Sequence, residues 1–373
     1  SWLLVAGSAA IGGATVAVSP QPGDYGRVTR YAVLQADGGL FGTATATSNV
    51  STLEPYFTPS GTTLFMTLLR TDLPLKSFAT TANGAAIGGA FDRLRAGATG
   101  DLARITRELT ALDDPGLAAA LDAVSGEIHA SSIQLAALDG ESVTDLVRGE
   151  IGARVSPPPI GAGATRVMSP WGQQSHYWSR LHAQRTSFDS ASSAHGGNAG
   201  LQGFALGADW TVRKHWLVGL GGGYTTGKLV LDGLAESSEF TAPRTIGYLG
   251  YVKNNLVTQG GASVTRTSYT TRRMFQFAAR TPLGDGLLFG GVDRKASGTS
   301  TGLATEVWAE ERLDARLGSW LLYPSVGLRY ANYSRYAWTE SGAGALSLRG
   351  LEQTGVSKQA DVGLWVGRAT GRF

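Results

Sequence analysis

The residues of this chain that could do chemistry are few, and their spacing argues against most of the chemistry they suggest. Gly298-Thr299-Ser300 has the outline of a serine nucleophile set beside a glycine. It falls inside a predicted strand, 296–315, and no His or Asp in matching context completes a triad. Of the five histidines, His129 lies two residues after Glu127 in a predicted helix, so the two side chains point in different directions and do not share a metal. His176 and His182 fall on one face of a predicted strand, yet six residues place them about 20 Å apart. Structural roles are expected for all five histidines, and no catalytic, cofactor-binding or metal-ligating residue is assigned. The chain has no cysteine, which excludes disulfides, thiolate-held metals and a cysteine nucleophile.

Charged residues at strand spacing are more informative. Glu306, Glu310 and Arg312 lie on one face of a single predicted strand, as do Arg266 and Thr270. If that strand belongs to a barrel, these are lumen-facing groups. They would hold water and a helix inside the barrel through ion pairs rather than serve as acids or bases. Arg148 and the pair Arg272-Arg273 are candidate partners. Asn254-Asn255 reads as a turn, not as a processing site.

The elements that must carry these groups are legible in the stretch Leu201–Leu231. Phe204, Leu206, Ala208, Trp210 and Val212 alternate with Gly203, Ala205, Gly207, Asp209 and Thr211. After Arg213-Lys214-His215 the alternation resumes, with Trp216, Val218, Leu220 and Tyr224 opposite Gly219, Gly221, Gly223 and Thr225. Period two with a short polar break means an antiparallel hairpin. One face is apolar and ends in aromatics, and the other is small and polar. That is how a membrane-spanning barrel is written, with a buried sandwich sheet as the alternative.

Composition favours the barrel. Charged residues make up 16% of the 373, below the roughly 25% usual for soluble domains. Glycine reaches 52 residues and mean hydropathy is −0.03, with no apolar run of the roughly 18 residues that a spanning helix needs. Alternation hides a lipid-facing surface from any averaging window. A net charge of +3 is too small to argue for nucleic acid, and none is expected as a partner. The chain shows no nucleotide-binding motif and no convincing signal peptide at Trp2–Ala10, so it is expected to begin inside a longer precursor.

In chain order, residues 1–75 read as short strands separated by glycine turns, suited to the last coils of a β-solenoid or to a small independent β domain. Residues 82–155 change to helical spacing. Phe91, Leu94, Leu102, Ile105, Leu109 and Leu112 form one stripe, Asp113-Asp114-Pro115 marks a helix start, and Leu117, Leu121, Val124, Ile128, Ile133 and Leu135 continue it. A short helix, 142–154, is closed by Pro157-Pro158-Pro159. From Trp171 onward eight strands are predicted at 171–188, 201–212, 215–231, 238–253, 255–275, 296–315, 320–339 and 346–367, with Gly- and Ser-rich loops at 190–200 and 282–298. Successive strands without a helix between them argue for an up-and-down barrel.

This order of parts resembles the carboxyl-terminal region of monomeric (type V) autotransporters of Gram-negative bacteria. The segment Leu121-Asp122-Ala123-Val124-Ser125-Gly126-Glu127-Ile128-His129-Ala130 is similar to the family's approach to its barrel. Gly38-Gly39-Leu40-Phe41-Gly42-Thr43 looks like the end of a passenger β-helix with its autochaperone-like cap, and Gln359-Ala360-Asp361-Val362-Gly363-Leu364 like a barrel strand.

The resemblance implies a mainly β fold: an antiparallel up-and-down transmembrane β-barrel, a preceding α-helical linker that threads the lumen, and an N-terminal β-solenoid-like segment. Expected domains are 1–80 (passenger end), 81–160 (linker) and 161–373 (translocator). The implied barrel has about twelve strands, an even number as such barrels have, so the sequence is expected to stop short of the last four. Ala369-Thr370-Gly371-Arg372 before Phe373 reads as a turn. The implied function is outer-membrane translocation of the chain's own passenger to the cell surface, as a monomer, without cofactor or catalysis. Its partners are outer-membrane lipid, the barrel-assembly machinery and the passenger. The alternative is an anchor for an adhesin or for an upstream serine protease or esterase. Subtilisin-like proteases occur as such passengers, but Gly302-Leu303-Ala304 lacks the proline context their serine motif has.

Overall fold

A computed structural model describes residues 2–21, 25–155, 175–191, 194–213, 215–277, 281–282, 288–289 and 291–368. Pro157–Pro159, Trp171 with the first residues of the strand predicted from it, Lys214, and the turn 369–372 with Phe373 lie outside the described residues.

The first six strands make stacked coils. They are β1 (Leu3–Val5), β2 (Ala9–Ala10), β3 (Thr15–Val18), β4 (Val28–Ala36), β5 (Leu40–Phe41) and β6 (Thr45–Ser48). β1 pairs with β4, β2 with β5 and β3 with β6, all parallel, bringing Leu3 beside Leu34, Ala9 beside Leu40 and Thr15 beside Thr45. This is the arrangement of a β-solenoid. The antiparallel hairpin β7 (Leu53–Ser60) and β8 (Thr63–Arg70) then pairs with the free edge of β4 and covers it. The rungs touch backbone to backbone at Gly12 and Gly42. Gly42 has φ +84°, and a Cβ there would lie 2.5 Å from the Gly12 Cα.

A cluster of helices follows: α1 (Ala82–Leu94), α2 (Gly100–Leu109), α3 (Asp114–Ala123), α4 (Glu127–Ser131) and α5 (Ile133–Val155). Asp113 caps α3 as predicted, its carboxylate accepting from the Gly116 N–H at 3.0 Å. The predicted continuous stripe from Leu117 to Leu135 is broken at Gly126, whose left-handed φ of +72° turns the chain between α3 and α4. The lumen helix, predicted over 142–154, starts at Ile133. It is lined by small and polar residues on several sides, so the apolar period that marks a surface helix does not show its first turns.

The sheet consists of β9 (Ser175–Phe188), β10 (Gly197–Arg213), β11 (Trp216–Leu231), β12 (Glu236–Lys253), β13 (Leu256–Phe277), β16 (Val292–Leu313), β18 (Trp320–Arg335) and β21 (Gln353–Arg368), each antiparallel to the next. A separate two-strand hairpin, β14 (Thr281–Pro282) and β15 (Leu288–Phe289), lies between β13 and β16. β17 (Ala315–Leu317) extends the turn before β18, while β19 (Trp338–Ser341) and β20 (Arg349–Gly350) occupy the connection before β21. The predicted strand 320–339 therefore ends at Arg335, and 346–367 begins at Gln353. One helix, α5, contacts β9, β10, β11, β12, β13 and β18. A single sheet can touch one helix with so many strands only by curling around it. Among the described residues the edge strands β9 and β21 do not pair with each other, so the curl is an open half-barrel.

The two ends of the sheet differ. One carries tight turns, at Asn254 (φ +55°) between β12 and β13 and at Gly318 (φ +62°) between β17 and β18. The other carries the connections 189–196, 232–235, 278–291 and 336–352, and it is this end that the helices cover. Leu75, Phe91, Ile105, Leu109, Leu117 and Leu121 form one core with Phe275, Phe277, Val292 and Leu346 of the sheet's rim.

Gly42→Ala is expected to destabilise the solenoid by about 1–3 kcal/mol, the penalty of strained backbone at a close contact. Limited proteolysis should show faster cleavage within residues 2–70, while the sheet stays resistant.

Candidate functional site: the helix-filled lumen

Alternation decides which residues face α5. On β13 the odd positions Tyr269, Thr271, Arg273 and Phe275 are buried against the helices, while even positions are open. Arg266 is exposed and Thr270 shares its outward face, so the expectation that these two look into the lumen is wrong. Spacing within one strand sets which residues share a face, but not which face turns inward. Arg272 and Arg273 divide likewise. Arg272 meets Glu239 outside at 2.5 Å, and only Arg273 serves the interior. Outside, Leu181, Phe204, Leu206, Val218, Leu220, Val307, Leu328 and Val362 are exposed, with Trp216 and Trp320 near the tight-turn end and Tyr224 and Tyr330 toward the other. This is an apolar band with aromatic edges, as a lipid-facing surface requires.

Inside, a ladder of charged and polar contacts fixes α5. Asp139 pairs with Arg244 of β12, both side chains fully buried. Thr144 donates to Glu306, whose carboxylate also holds Arg329 of β18 at 2.7 and 3.0 Å. Arg148 reaches Glu310 of β16 and Asp361 of β21, the latter at 3.0 Å. Glu150 accepts from Arg180 of β9 at 2.6 Å. Arg154 donates to Asp209 at 3.1 Å, and the same carboxylate meets His176 Nδ1 at 3.1 Å. Another side of α5 is apolar. Val143, Val147 and Ile151 pack on Trp178, Leu217, Ile246, Tyr248 and Trp308.

Of the predicted interior groups, Glu306, Glu310 and Arg148 are thus brought together. Asp139, Glu150, Arg154, Arg180, Arg244 and Arg329 were missed. Inward parity on β12 and β18 was the available signal for Arg244 and Arg329.

At the covered end a second network clamps α4. His129 Nε2–H donates to Glu340 of β19 at 2.6 Å, and its ring stacks on Trp338 with centroids 3.5 Å apart. Burial lowers the His129 pKa. A neutral ring with its proton on Nε2 leaves Nδ1 free to accept from Arg335 Nη2 at 3.2 Å, the tautomer that the network assigns. Arg273 grips Glu340 through two bonds of 2.7 Å. Arg335 also donates to the His129 carbonyl and to Ser132, and Glu236 accepts from the Ile128 N–H at 3.0 Å.

The remaining histidines have partners of the same structural kind. His195 meets Glu127 at 3.1 Å, His182 meets Thr225 at 3.2 Å, and His215 lies edge-on to Tyr251. Ser300 accepts from Arg335 Nε at 2.7 Å. No group of three potential metal ligands occurs among the described residues.

This geometry can hold a helix in a pore. Residues 177–372 match the family model described as the autotransporter beta-domain. The chain belongs to the autotransporter family. It is the outer-membrane translocator of an autotransporter in a Gram-negative bacterium, with the passenger at the cell surface. The translocator domain of this family is not itself a catalyst. Among solved structures, the chain is similar to the translocator domain of the autotransporter NalP from Neisseria meningitidis, with 12% identity and a TM-score of 0.46 over 64% of this chain and 71% of that one. No curated protein sequence matches the chain.

Asp139→Ala leaves Arg244 buried and unpaired, and the loss is expected to be about 3–5 kcal/mol. Replacing both, Asp139→Leu with Arg244→Met, should recover most of it, as seen by thermal unfolding in detergent. A further prediction concerns α2, outside the spanning strands. Arg294 grips Asp101 through two bonds, at 2.7 and 2.5 Å, and holds its carboxyl well below the usual carboxylate range. A depressed pKa contributes stability above the unfolded value of about 3.9 and loses it as pH falls toward the folded value. Protection of residues 100–109 against hydrogen exchange, relative to the intrinsic rate at each pH, should therefore fall below about pH 4, and Asp101→Asn should remove that pH dependence.

Proposed function

We propose that residues 133–155 are the tether of the exported passenger, locked in the lumen after export, and that the chain divides as 1–80 passenger end, 81–160 linker and 161–373 translocator. The observation that carries this reading is the polar ladder on α5, from Asp139 to Arg154. Its Arg154 end lies by the start of β9, at the tight-turn end of the sheet, and its Ile133 end lies under the helical cover. In barrels of this kind tight turns face the periplasm and longer loops face outside. Everything before α5 then belongs on the cell surface, and the ladder keeps it attached. Insertion by the barrel-assembly machinery, as a monomer, is part of the same proposal.

External protease on intact cells tests this. An epitope placed at the Gly61 turn should be removed, while α5 and the sheet survive as one fragment that migrates faster unheated than boiled. Arg148→Ala should raise single-channel conductance of the reconstituted protein. Protection of the epitope would overturn the topology, and unchanged conductance would overturn the plug.

A further inference from the structure

The outward face of the first three sheet strands carries a feature that translocation does not use. Reading across the register, Leu181, Phe204 and Tyr224 form one outward row. Two residues further toward the covered end come Ala183, Gln202 and Thr226, and two beyond those Arg185, Gly200 and Lys228. The surface passes from apolar, through amide and hydroxyl, to cationic within about 13 Å along the strand. That is the order of a membrane leaflet from hydrocarbon to headgroup.

Gly200 makes the middle of the last row a gap. A Cβ built there would meet nothing within 4 Å, so the two cations flank an open floor. An open groove of about 570 Å³ lies here, lined by Arg185, Gln202, Thr226 and Lys228 among others. Two strand spacings set the Arg185 and Lys228 backbones about 10 Å apart, a gap that two long side chains can close on a single anion. Neither has a carboxylate partner among the described residues. Glu239, opposite Lys228 in the register, is held by Arg272 at 2.5 Å. Flexible stems let both cations lie back along the apolar surface with their heads at headgroup level.

We propose that this groove binds the phosphate of a net-anionic outer-leaflet lipid headgroup, with Arg185 and Lys228 on either side of it and the Gln202 amide as a further donor. The Arg185 fork suits two phosphate oxygens, and Lys228 supplies a point charge. The proposal rests on the outer-membrane placement of the strands and on the topology proposed above, with the tight turns facing the periplasm, and not on the role given to α5.

Native mass spectrometry of the protein, released from detergent mixed with phosphatidylglycerol or phosphatidylcholine, tests it. The phosphatidylglycerol adduct should survive activation roughly tenfold better than the phosphatidylcholine adduct. Arg185→Gln with Lys228→Gln should abolish that preference. Arg185→Lys with Lys228→Arg, which keeps both charges, should retain most of it, and Arg266→Gln, an outward cation on another strand, should leave it unchanged. The unheated band on gels reports folding for each variant. Equal retention of the two lipids by the parent protein would overturn the site. So would an equal loss in Arg266→Gln, because general surface charge would then account for the binding. Displacement of phosphatidylglycerol by millimolar inorganic phosphate alone would assign the groove to a free anion and overturn the lipid reading.

Discussion

A sheet that faces hydrocarbon on one side sends most charges of its spanning stretch to the other. That constraint shapes this molecule. Every strand gives lipid its branched and aromatic residues, and the inner face collects Arg244, Glu306, Glu310 and Arg329. Left buried without partners, these groups would be costly. α5 resolves the problem by bringing Asp139, Thr144, Arg148, Glu150 and Arg154 to them. Such pairs contribute little net stability, since desolvation offsets attraction. What they give is position. A helix whose charges match the wall at several heights has one depth and one rotation at which all are satisfied.

Much of this was legible in the sequence, and for a physical reason. Alternation is a local property, so the strands beginning near Trp216 and Leu256 could be bounded to within a few residues, and the cap at Asp113 followed from its own chemistry. The stacked coils of residues 3–48 could be expected from short strands and glycine turns, although their parallel pairing is a long-range fact. Two readings failed where tertiary context decides. Arg266 and Thr270 share a face, but only the neighbouring buried row of Tyr269 and Arg273 shows that this face is the outer one. α5 begins at Ile133 because the surrounding wall, and not a stripe of its own, supplies its packing partners.

The clamp on α4 was legible only at Arg273, one of the pair offered as partners for interior carboxylates. Glu236, Arg273, Arg335 and Glu340 come from β12, β13, β18 and β19, and nothing in their sequence spacing connects them. Ser300, whose glycine-flanked position suggested a nucleophile, proves to be an acceptor for one of these arginines. Buried polar networks assembled from distant strands read, one residue at a time, as isolated charges.

The clamp has a mechanical consequence. A pull on the solenoid passes to the start of α3 through the Ser51–Asp114 contact and to the end of α2 through the Thr52–Thr110 contact. From there it spreads into the sheet's rim through the apolar core under the helices and the Asp101–Arg294 pair. What remains along the backbone meets His129 and Ser132, anchored by Arg335 and Glu340, before it reaches Ile133. The load thus enters the wall before it reaches α5. Shear on whatever stands above the membrane is borne first by the collar of the barrel, and the stopper in its bore is the second hold.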